Sequence, residues 1–119
     1  DGIAWLHGVH SADASCKYAV IRVDPARFGC SRDTLHDALR AYNVFTRKYF
    51  FPLCADYDCY RDLPSAAAAN LPVAARAVQD VLCLPMYGGL TEDDVDRICD
   101  MVVAVRDSAV RAVTSGAAE

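Results

Sequence analysis

The chain has 119 residues, 54% of them apolar, with 12 Lys and Arg set against 16 Asp and Glu for a net charge of -4. That length makes one domain with an ordinary core, burying about two-thirds of the surface its unfolded form exposes without help from disulfides or metals. The acidic balance and scattered Arg residues exclude a general nucleic-acid surface, and no run approaches the roughly 18 to 20 apolar residues of a membrane helix, the nearest being 101–105.

Residues 3–6 read as a short strand, and the polar stretch 8–15, with Gly8, Ser11, Asp13 and Ser15, as a loop. Residues 17–24 are rich in β-branched and aromatic side chains and form a strand closed by Pro25, which has no amide hydrogen to continue a ladder. Ser31 is placed to cap a helix. Asp33 sits in its first turn, where a carboxylate complements the helix dipole, and Leu35, Ala38, Leu39 and Tyr42 share one face. The aromatic-rich segment 44–51 predicts a second strand, stopped by Pro52. Residues 54–70 lack periodicity and read as a long loop with one helical turn at 66–69, and loops of that length are often functional. Pro72 opens a helix over 73–78, 81–85 is a buried strand, and 86–89 a turn. Thr91 caps the last helix, whose buried stripe is expected at Val95, Ile98, Cys99, Val102 and Val105 or Arg106, with 114–119 as a frayed tail.

Three or four strands separated by capped helices predict an α+β fold: a small, mainly antiparallel sheet with helices packed on one face. The other face is then left as an apolar docking surface. The six cysteines (Cys16, Cys30, Cys54, Cys59, Cys83, Cys99) are expected to be reduced thiols of a cytoplasmic protein, because a chain with this much core needs no disulfide scaffold. No metal site is expected. The His7-x-x-His10 pair near Cys16 and the Cys54/Cys59 pair lack the paired knuckles of structural zinc, and His36, off the apolar stripe of its helix, reads as solvated. The acids from Glu92 to Asp96 lack the alternating ligands of a calcium loop and suit a helix start. Motifs of nucleophilic catalysis, zinc proteases, dinucleotide binding and phosphate loops are absent.

Five segments in one order carry more. They are Thr46 to Leu53 (TRKYFFPL), Tyr60 to Ala66 (YRDLPSA), Asn70 to Ala74 (NLPVA), Val81 to Tyr87 (VLCLPMY) and Leu90 to Ile98 (LTEDDVDRI). Together they resemble the DegT/DnrJ/StrS family of pyridoxal-phosphate sugar aminotransferases over about residues 17 to 106, and within that family only its C-terminal small domain. Phe51 stands where the family typically has a second Tyr or similar aromatic residue, and Asp58 precedes Cys59 where the family often has Pro.

The resemblance implies that residues 1–119 are a single small domain of a longer enzyme. That enzyme would move an amino group from an amino acid to a nucleotide-linked keto-deoxy sugar, with pyridoxal phosphate held by a large domain absent from this sequence. Asp1 in place of Met fits such a piece. The expected partners are that large domain, a second subunit of a homodimer and the nucleotide sugar, with no nucleic acid and no membrane. Neither Lys17 nor Lys48 stands in the family's Schiff-base context, so no catalytic or cofactor-binding residue is expected here and the chain alone is expected to be inactive. By the same resemblance the segment after the second strand lies near the interdomain cleft. Arg47, whose guanidinium forks onto carboxylate or phosphate, and Tyr49, whose hydroxyl suits a sugar, are the candidate substrate-binding residues. A freestanding interaction module that kept this fold and lost the enzyme is the alternative.

Overall fold

The computed structural model describes residues 1–6 and 17–116. The expected loop at 8–15, His7, His10 and Cys16 lie outside them, as do residues 117–119 of the expected tail.

Among the described residues four strands form one antiparallel sheet: β1 (Ile3–Trp5), β2 (Ala19–Val23), β3 (Arg47–Lys48) and β4 (Val81–Leu84). Their spatial order is β1-β2-β4-β3. Strand β2 pairs with β1 (Ile3 opposite Val23) and with β4 (Ile21 opposite Leu82), and β4 carries β3 on its other side (Arg47 opposite Cys83). Side chains alternate across a sheet. This register therefore puts Ile3, Ile21, Val23, Leu82 and Lys48 on one face and Val20, Arg22, Val81, Cys83 and Arg47 on the other.

Four helices accompany the strands among the described residues: α1 (Pro25–Phe28), α2 (Arg32–Ala41), α3 (Pro72–Asp80) and α4 (Glu92–Gly116). Pro25 ends β2 as expected and also opens α1, a turn absent from the sequence reading, with Asp24 Oδ1 accepting from the Ala26 amide at 3.0 Å. Ser31 caps α2 by accepting from the Thr34 amide at 3.1 Å. Thr91 and Asp94 cap α4 reciprocally, the Asp94 amide donating to Thr91 Oγ1 and the Thr91 amide to Asp94 Oδ2, both at 3.2 Å.

Helices α2 and α4 cover the first face. Leu35 and Leu39 meet Phe28, Ile21, Val23, Leu82, Val44 and Val102 in one buried cluster, flanked by Ile98, Met101 and Val105. Two expected stripes shift here. The buried side of α2 runs through Arg32, Leu35 and Leu39, while Tyr42 caps the helix C-terminus and is exposed. On α4, Val95 and Cys99 face solvent and Met101 packs in their place, because the sheet is narrow and meets only the strip of the helix lying across it. The helix continues to Gly116, through the start of the tail expected to fray, and its distal part packs beside Gly29, where an added methyl group would come within 3.2 Å of Val110.

The second expected strand is the largest departure. Of residues 44–51 only Arg47–Lys48 join the sheet. Val44 is tied by its amide to the Leu39 carbonyl at the end of α2 and is buried, and the Phe51 amide turns back onto the Lys48 carbonyl at 3.1 Å. Strand propensity did not outweigh these two anchors. Residues 54–70 form the expected excursion, held by short 3-10 turns at 54–56, 64–66 and 68–70, the last two replacing the single turn expected at 66–69. The Asn70 side-chain amide donates to the Pro64 carbonyl at 2.8 Å and draws that loop together.

Candidate functional site

On the face away from α2 and α4 the apolar surface is small: Val20, Val81 and Cys83, with Tyr49 packed over them. Tyr49 is half-buried, and its ring centre lies 5.4 Å from that of Tyr18 and 4.0 Å from that of Phe50. Tyr18 and Phe50 are exposed, as are Phe45, Tyr42 and Tyr87 along the same edge of the molecule. The register sets Arg47 opposite Cys83, with its side chain exposed. Among the described residues Arg47 has no ion-pair partner. A shallow groove of about 210 Å³ runs beside it, lined by Lys17, Tyr18, Phe45, Arg47 and Met86 among others. Burial raises the Cys83 thiol above its ordinary range, and the Arg47 charge offsets part of that rise, which places the guanidinium's field on this face.

Arg47 and Tyr49 thus stand on one face, two residues apart on the β3 edge, beside three further aromatic rings and Lys17. Sequence reasoning picked the two but missed Lys17 and Tyr18, because their proximity depends on β2 and β3 flanking β4 in space. A larger groove of about 610 Å³ lies nearby between the end of α2 and the start of α4, with Phe45, Tyr87, Arg97 and Met101 in its walls. At the opposite end of the second face, Arg22 reaches Asp80 at 3.7 Å, and α3 borders a groove with Leu6, Arg22 and Val81.

Lys48 points the other way. Its Nζ lies 2.7 Å from Asp33 Oδ1, which also takes Arg32 Nε at 2.8 Å. The hydrogen bond from Lys48, ahead of the charge of Arg32, holds the Asp33 carboxyl below its ordinary range. Asp33 therefore does more than face the helix dipole. His36, expected to be solvated, is half-buried, its Nδ1 lying 2.6 Å from Thr46 Oγ1. Burial lowers its pKa, and the Lys48 charge lowers it further against the opposing charge of Asp37.

Cys30, Cys54, Cys59, Cys83 and Cys99 are free thiols. Among the described residues no three His, Cys, Asp or Glu side chains gather as metal ligands, and no helix is long and apolar enough to cross a membrane.

A small antiparallel sheet with α2 and α4 on one face, and exposed aromatic and cationic side chains rimming the other, defines an α+β domain. The sequence pattern of the DegT/DnrJ/EryC1/StrS aminotransferase family matches residues 2–103, and the chain belongs to that family. It is similar to a dTDP-4-amino-4,6-dideoxy-D-glucose transaminase of Escherichia coli, with 36% identity over 102 residues, 86% of this chain and 27% of that protein. It is also similar to the spore coat polysaccharide biosynthesis protein SpsC of Bacillus subtilis (strain 168), with 33% identity over 74% of this chain and 22% of that protein. Among solved structures it superposes on DesI, crystallised in the presence of its TDP-sugar product, with a TM-score of 0.67, 33% identity, and coverage of 86% of this chain and 25% of that one. The fold is shared, at a TM-score of 0.58 and 22% identity, with the aminotransferase TlmJ from Streptoalloteichus hindustanus. The chain spans about a quarter of the length of the curated relatives it matches.

Pyridoxal phosphate, the cofactor of the family, needs an uncommitted lysine amine, an anion cradle and an acid facing its ring nitrogen. The described residues do not supply that set. Lys48 is committed to Asp33 on the helix side, and Lys17 borders a groove that includes neither a carboxylate nor a helix N-terminus.

Proposed function

We propose that this chain is the C-terminal small domain of a pyridoxal-phosphate aminotransferase that transfers an amino group from an amino acid to a nucleotide-linked keto-deoxy sugar. In this reading the large domain of the same polypeptide holds the cofactor. The second face of the sheet forms one wall of the cleft, in a cytoplasmic homodimer. Arg47 binds an anionic group of the nucleotide sugar through its guanidinium, and Tyr49 offers its hydroxyl to the sugar. The carrying observation is that Arg47 and Tyr49 share the one sheet face that α2 and α4 leave open, in a chain whose relatives include dTDP-sugar transaminases.

The 119-residue chain alone is expected to bind pyridoxal phosphate without a fixed stoichiometry. Titration followed by visible absorption and borohydride trapping reads this, and one stoichiometric adduct on Lys17 or Lys48 would overturn it. In the full-length polypeptide, Arg47→Ala should lower kcat/KM for the nucleotide sugar by about 10- to 100-fold, the worth of a charge-assisted hydrogen bond to an anion. Unchanged kinetics return Arg47 to an exposed side chain of no consequence.

A further inference from the structure

Arg32 fills the first buried position of α2, at 1% exposure, where a hydrophobic residue would satisfy the packing. Its Nη1 donates to the Val81 carbonyl at 2.8 Å, where α3 passes into β4. Its Nε donates to Asp33 at 2.8 Å, and the same carboxylate oxygen takes Lys48 at 2.7 Å. The guanidinium carbon lies 5.6 Å from the centre of the Phe51 ring, and Lys48 Nζ lies 6.0 Å from it. Arg32 Nη2 is buried with no hydrogen-bond partner among the described residues. A buried cation without full pairing is costly, and a ring face within about 6 Å offsets part of that cost.

We infer that Arg32 is a positioning residue: with Asp33, Lys48 and Phe51 it latches segment 47–51 to the start of α2 and so turns Arg47 and Tyr49 to the opposite face. Strand β3 needs such a device. It is two residues long, lies at the sheet edge and, among the described residues, pairs only with β4. So short a strand is held weakly by its own ladder. Because side chains alternate, pinning Lys48 on the helix side fixes the orientation of both its neighbours. A latch of one carboxylate between two cations, with an aromatic ring beside both, holds Lys48 from one end and the turn at Phe51 from the other. The consequence for substrate rests on the proposed role of Arg47 and Tyr49; the latch itself does not.

Amide hydrogen exchange by NMR on the 119-residue chain tests it. Phe51→Leu and Asp33→Asn should each speed exchange at 47–50 about tenfold while β2 keeps its protection, and Phe51→Tyr, which keeps the ring, should stay within about twofold of the parent. Arg32→Met should show the largest local effect; should it fail to fold, the Phe51 and Asp33 variants decide. Unchanged exchange at 47–50, or an increase shared equally by Ala19–Val23, overturns the latch. No substrate enters this experiment, so its failure leaves the Arg47 reading standing, and unchanged kinetics of Arg47→Ala leave the latch standing.

Discussion

The two faces of one sheet differ in how much of their own chain they receive. The face carrying Ile21, Val23 and Leu82 is sealed by α2 and α4, and Leu35, Leu39 and Leu82 are fully buried there. The face carrying Val20, Val81 and Cys83 is covered more thinly, by Tyr49 and, toward its far end, by α3; those three side chains are buried, and its rim displays Tyr18, Phe45 and Phe50 at 47%, 66% and 60% exposure. The same strands supply both. The larger buried cluster lies under α2 and α4, and the exposed aromatic rings gather around the more thinly covered face.

The sharpest way to break this contrast is to remove bulk from each face in turn. Leu39→Ala should cost about 2–5 kcal/mol, since the side chain is wholly enclosed and leaves a cavity. Tyr49→Ala should cost less, about 1–2 kcal/mol, because its ring is only partly enclosed and sits over a smaller cluster. Urea unfolding of the two variants measures both, and equal losses would make the second face a core like the first. Gly2→Ala should have an effect of the same order. Gly2 has a φ of +84°, its carbonyl accepts from the Asp24 amide at 2.8 Å, and an added methyl group would collide with the Phe28 backbone nitrogen. With backbone on both sides nothing flexible yields, so β1 or α1 must shift at a cost of about 1–3 kcal/mol, read as a lower Tm.

The smallest effect is that of His36, which ties α2 to the entrance of β3 and belongs to neither face alone. Its pKa in the fold is lowered from 6.5, chiefly by burial and then by the Lys48 charge, with Arg40 and Arg32 adding to it and Asp37 opposing. The fold therefore binds that proton less readily than the unfolded chain does. Its cost is absent above pH 6.5 and grows as pH falls from there through the lowered pKa. Chemical denaturation across pH 5–7.5 should show a decline that is shallower in His36→Asn, whereas identical slopes would leave His36 without a part in it.

The strongest local signals in the sequence all have structural counterparts. Ser31 and Thr91 start helices because a side-chain oxygen there satisfies a free amide whatever lies around it. Pro25 ends β2 and Pro72 opens α3 for reasons internal to proline. The apolar strands 19–23 and 81–84 follow from composition, and the family follows from ordered short segments that local spacing alone does not explain. The length of β3, the shift of the α4 stripe away from Val95 and Cys99, and the burial of Arg32 were not legible, because each depends on which distant element arrives opposite.

What the sequence by itself determined is where elements begin, the antiparallel α+β class, and the choice of Arg47 and Tyr49 as residues to watch. Alternation along a strand also puts these two on a common side. Only the tertiary structure decided which side that is, because the choice follows from α2 and α4 settling over Lys48 and Leu82 rather than over Arg47 and Cys83. A period of two fixes which residues share a face, but burial by helices far along the chain fixes which face is closed.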